Sequence, residues 1–191
     1  MDKVTIHGIV ATEKMHFIGI VKFQDMIEKF NNIINENYKE LEQLVNNKDL
    51  VIKQTDFAKA TLCLYKSVSP QEPYNACFVN AIEVDLQKCK KELVVHGAYK
   101  DVETTKAKQL ECGTIPAQKY VLKVTYEGSY QKLGNAWAQA DAYVKKHGLV
   151  RDYGYSPLER YIVTANNSED ENAITEIYIP LLHNGKEHFM K

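Results

Sequence analysis

The sequence has no CxxC pair, no HxxxH or HExxH spacing and no glycine-rich phosphate loop. Its four cysteines, Cys63, Cys77, Cys89 and Cys112, are scattered, the pattern of reduced, mostly buried thiols in a cytosolic chain. The six histidines are equally dispersed, so neither a metal centre nor a cofactor is expected. Basic blocks are missing too. The 24 Lys and Arg balance 25 Asp and Glu to a formal net charge of −1, which leaves little to neutralise a phosphate backbone. Direct nucleic-acid binding is therefore not expected. No apolar run approaches the length of a membrane span, and the start, MDKVTIHGIV, lacks the charged and apolar regions of a leader. The expectation is a cytoplasmic protein without a membrane partner.

What remains is ordinary globular composition: 191 residues, 45% apolar and 26% charged, enough for a real core. KMHFIGIVKF (14–23) reads as a strand. Asp25 can cap a helix whose stripe is Ile27, Phe30, Ile34, Leu41 and Val45, ending near Asn46. TLCLYKSV (61–68) and ACFVNAIEVD (76–85) read as strands around a turn with two prolines. The order is β-α-β-β.

The second half repeats that order. KYVLKVTY (119–126) is a strand, and Glu127-Gly128-Ser129 is a turn with Ser129 as cap. Tyr130, Leu133, Trp137, Ala140 and Val144 form a helical stripe, stopped at His147-Gly148. PLERYIVTA (157–165) and AITEIYIPLL (173–182) are two more strands. At one constant offset Phe17 matches Tyr120, Phe23 matches Tyr126, Ile27 matches Tyr130 and Ile34 matches Trp137. That register points to a duplicated β-α-β-β unit spanning about 4–85 and 111–182 within a single domain of 1–191. Between them, 86–118 reads as a connection with at least one strand. The fold class is α+β, with antiparallel sheets, two main helices and a cleft between the halves.

Three motifs then stand in order: Glu127-Gly128-Ser129-Tyr130, Glu159-Arg160-Tyr161, and Thr175-Glu176-Ile177-Tyr178-Ile179-Pro180. Together they resemble the GyrI-like, or bacterial effector-binding, small-molecule-binding domain, which also occurs as the ligand-binding part of MerR-type and AraC-type regulators. The resemblance is strongest over 111–182. It implies SHS2-like repeats around an aromatic pocket, with an acidic residue on the penultimate strand, here Glu159, facing a bulky ligand. No DNA-binding segment is recognisable, so a stand-alone version is expected.

Each candidate has two readings from the residues. Glu159 is either the partner of an organic cation or the solvent-side residue of a half-buried strand. Tyr126 shares parity with Tyr120, Leu122 and Val124 and is core or pocket. Tyr130 and Trp137 open the helical stripe, and the indole N–H needs a partner when buried. Tyr161 lies on the Glu159 face. Tyr153 and Tyr155 sit in the loop before it. Tyr65 and Phe78, on the mirrored strands, would form the opposite wall, and Glu176 reads as structural pairing. The leading expectation is non-catalytic binding of a bulky aromatic, in one variant cationic, small molecule by a monomer or weak dimer. A hydrolase with Glu159 as base and Tyr126 or Tyr161 as donor is the alternative. A protein-interaction module, as in relatives that act on DNA gyrase, is the third.

Overall fold

The computed structural model describes residues 2–22, 30–54, 61–66, 77–89, 110–163 and 171–183. In chain order the elements are β1 (Lys3–Thr12), β2 (Met15–Lys22), α1 (Phe30–Asn46), β3 (Thr61–Lys66), β4 (Cys77–Glu83), β5 (Leu110–Ile115), β6 (Gln118–Glu127), α2 (Leu133–Lys146), β7 (Leu158–Val163) and β8 (Ile174–Pro180). The fold is α+β, and every described strand pairing within the two units below is antiparallel. Among the described residues no helix is long and apolar enough to cross a membrane, and no group of three or more His, Cys, Asp and Glu is placed to hold a metal.

The chain divides into two compact units. One comprises residues 1–13 and 117–191, the other residues 14–116. In the first unit the strand order is β1-β6-β8-β7; in the second it is β3-β4-β2-β5. Starting from β1 and from β5, the two orders are the same. β1, formed by KVTIHGIVAT, is not among the strands expected from sequence. It pairs with β6, so residues 4–13 belong with the later part of the chain. The strand expected somewhere in 86–118 is β5, which pairs with β2.

Period-2 alternation builds the first unit. β6 buries Leu122, Val124 and Tyr126 on one face, and β8 buries Ile177 and Ile179 opposite them. Helix α2 covers that face with Ala136, Ala140 and Val144, four residues apart. Each large aliphatic side chain so buried contributes roughly 1.5–3 kcal/mol. In the second unit Ile18, Ile20 and Ile82 pack with Leu41 of α1 and with Leu50. The opposite face of that sheet, with Phe17, Leu62, Leu64, Val79 and Ala81, is buried as well.

The duplication register expected from sequence crosses faces here. Tyr120 shares its face with Leu122 and Val124, turned to α2, whereas Phe17 lies on the face of β2 away from Ile18 and Ile20. A slip of one residue exchanges the two faces of a strand, and residue type alone does not detect it. Phe23 and Ile27, the next matched positions, lie outside the described residues. So do Asp25, the expected cap of the first helix, and the turn expected between β3 and β4.

Candidate functional site

Glu159 is brought to the helix-covered face of its sheet by register. The cross-strand row reads Val124, Ile177, Glu159, and the next row reads Tyr126, Thr175, Tyr161. The carboxylate is therefore placed among core residues and is only 2% exposed. The solvent-side alternative for this residue is thereby removed.

Trp137 meets it from α2. Ser129 caps the chain before the helix, its hydroxyl accepting from Gln131 N–H at 3.2 Å, and a single 3-10 turn over Tyr130–Lys132 leads into α2. Gly128 makes the entry feasible: its φ is +150°, and a Cβ there would fall 2.7 Å from the Tyr126 hydroxyl. The Trp137 Nε1–H then donates to Glu159 Oε1 at 2.6 Å, and the Tyr161 hydroxyl donates to Oε2 at 2.9 Å. Tyr130 leans on Tyr161 with ring centroids 5.6 Å apart and planes at 59°, a favourable tilted aromatic pair. Four of the expected residues, Glu159, Trp137, Tyr161 and Tyr130, thus form one cluster.

Hydrogen bonds to a charged acceptor are worth roughly 1.5–3 kcal/mol each, but indole and phenol are neutral. They hold the buried carboxyl group in place through both of its oxygens.

Tyr126 is placed differently. It is fully buried, and its hydroxyl donates to the Ser129 carbonyl at 2.9 Å, pinning the turn. Burial raises its pKa, helped by the negative charge of Asp2. Tyr126 also borders a groove of about 590 Å³ lined by Asp2, Lys3 and Val4 of the β1 segment and by Asn135 and Gln139 of α2. Tyr153 and Tyr155 are exposed in the loop before β7, where Asp152 accepts from Gly154 N–H at 2.9 Å. Tyr65 and Phe78 stand directly opposite each other on β3 and β4, in the second unit; their side chains lie outside the described part of the structure.

Glu176 belongs to the sheet face away from α2. It is ion-paired with Lys123 at 2.6 Å and accepts from the Tyr178 hydroxyl, while Lys123 sits 5.6 Å from the Tyr178 ring centre. Burial alone would raise the Glu176 pKa, but the bonds from Lys123 and Tyr178 outweigh it and leave the pKa lowered. Burial, followed by the bond to Glu176, raises the Tyr178 pKa.

Sequence reasoning missed the charged flank of Trp137. Arg151, after α2, is ion-paired with Asp141, and its guanidinium carbon lies 5.9 Å from the Trp137 ring centre. Asp141 was findable, one helical turn beyond Trp137; Arg151 carried no local signal.

A small α+β domain with an acid set among aromatic side chains is the class of protein these observations define. The chain belongs to the GyrI-like small molecule binding domain family, whose pattern it matches over residues 8–182. A comparison with curated proteins finds no match. Among solved structures it is similar to EcmrR in its complex with DNA, with 16% identity and a TM-score of 0.62. That match covers 94% of this chain but only 57% of the EcmrR chain, so this chain spans little more than half of that protein. SAV2435 bound to tetraphenylphosphonium is similar over 98% of both chains, with 13% identity and a TM-score of 0.57. A hydrolase from Listeria innocua, encoded by lin2189, is similar over 95% of this chain and 91% of its own, with 11% identity and a TM-score of 0.51. At these identities the likeness is one of fold.

Proposed function

We propose that this domain binds a bulky aromatic small molecule, organic cations included, at Glu159, with Trp137, Tyr161 and Tyr130 as the aromatic wall. The observation that carries the reading is a buried carboxylate whose two oxygens are held by an indole and a phenol. Tetraphenylphosphonium on a similarly folded protein supports the ligand class. Aromatic faces and one carboxylate discriminate poorly, so selectivity is broad and affinities fall at roughly 1–50 μM. The matching strand orders of the two units support a duplicated module behind the fold. Sensing or sequestration in the cytoplasm is the role that fits such binding.

The test is a thermal-shift series with tetraphenylphosphonium on the wild type and Glu159→Gln. The wild type is expected to be stabilised by the cation and the variant to lose most of that shift while still melting cooperatively. Equal shifts in both proteins would sink the assignment of Glu159. A hydrolase reading is favoured by one contact, the Tyr161 hydroxyl on the Glu159 carboxylate. It requires that an electrophilic ring compound be recovered opened; a ligand recovered intact decides for binding.

A further inference from the structure

Trp137 carries a cation already. Arg151 is fixed at its backbone by a bridge to Leu181, just beyond β8, and its side chain reaches back to Asp141, one helical turn past Trp137 on α2. This places the guanidinium 5.9 Å from the indole ring centre, within cation–π range. The two members of the ion pair are not equally wet. The Arg151 side chain is 17% exposed and the Asp141 side chain 58%. Water therefore screens the acid far more than the guanidinium, and the indole that donates to Glu159 experiences a net positive neighbour.

Resting on the ligand reading above, we infer that Arg151 is the specificity-determining residue of the Glu159 site: an internal cation on Trp137 that lowers the preference for cationic over neutral aromatic ligands. A cation approaching Glu159 meets repulsion from the guanidinium and competes with it for the indole. A neutral aromatic of similar bulk meets neither. The arrangement places selectivity on a residue outside the three strand and turn motifs.

The experiment compares tetraphenylphosphonium with neutral triphenylphosphine oxide by calorimetry, with the fluorescence of Trp137, the only tryptophan, as a local signal. Removing the pair in Arg151→Gln with Asp141→Asn keeps the formal charge constant. It is expected to tighten tetraphenylphosphonium by about fivefold or more and the oxide by less than about twofold, the effect of one screened like charge. Asp141→Asn alone strips the guanidinium of its counter-charge and shifts the ratio the other way. Arg151→Lys, which keeps the charge, holds the wild-type ratio within about twofold. Circular dichroism confirms folding, and if the double variant does not fold, Arg151→Gln alone is expected to shift the ratio toward tetraphenylphosphonium and Asp141→Asn alone toward the oxide. Saturable binding with an unchanged ratio, or equal changes for both probes, overturns the inference alone. A lost ratio in Arg151→Lys also overturns it, because packing rather than charge would then decide. Absence of binding by either probe to any of the proteins overturns the ligand reading and this inference together.

Discussion

At the scale of single residues, Trp137 and Glu159 are bound to each other's fate. The indole is the donor for Glu159 Oε1, so Trp137→Phe leaves a buried carboxylate oxygen without that donor, at a cost of about 1–3 kcal/mol. Glu159→Gln removes the charge that needed it. The two changes are therefore expected to be non-additive in urea unfolding, coupled by about 1 kcal/mol or more; simple additivity would show that the contact carries no weight. Glu176 gives a prediction in pH. Its folded pKa is held below the ordinary 4.5 by Lys123 and Tyr178 against the opposing effect of burial. A depressed carboxylate adds stability above its unfolded pKa and loses it as pH falls through the folded value. Melting temperatures of Glu176→Gln followed downward from pH 6 should therefore decline less on the acid side, below about 4.5, than those of the wild type.

Among the elements, α1 shows how a helix end can be tuned without touching the site. Its chain continues through Asn47 to Lys48, which stands at φ 61°, and Asp49 and Leu50 N–H both return to the Leu44 carbonyl. That left-handed residue after a helix is the place glycine fills without a Cβ penalty. Lys48→Gly is expected to stabilise the second unit by about 1 kcal/mol; a lower melting temperature would mean that the lysine side chain contributes more than its backbone costs. Helix α2 was largely legible: Ser129 caps its approach, Gly148 at φ 62° ends it, and Ala140 and Val144 are buried as the stripe required. Ala136 escaped notice because a methyl group contributes little to a hydrophobic pattern. β1 escaped because its partner, β6, lies more than a hundred residues away in the chain.

For the whole molecule, binding and stability are one equilibrium. A ligand seated only on the folded protein contributes RT ln(1 + [L]/Kd), about 2.7 kcal/mol at a hundred times its Kd. The melting temperature of the wild type should keep rising with tetraphenylphosphonium concentration beyond saturation of the site, and a plateau at saturation would indicate comparable affinity for the unfolded chain. Arg151 also links elements far apart in the chain, its backbone bridged to Leu181 beyond β8 and its side chain ion-paired with Asp141 of α2.

Local chemistry was enough to determine the α+β class, most strands of both halves and the second helix with its stop, which follow from periodicity, capping and residue type acting within a few positions of the chain. Glu159 was singled out by the resemblance of three short motifs to a known family, and the residues alone left both of its readings open. Only tertiary structure decided that Glu159 faces α2 rather than solvent, that its partners are Trp137 and Tyr161, and that Tyr126 is buried and pins the turn. The same holds for the pairing of β1 with β6 and for the guanidinium on Trp137. Strand parity offers two faces of equal standing, and the choice between them is made by what packs on each one.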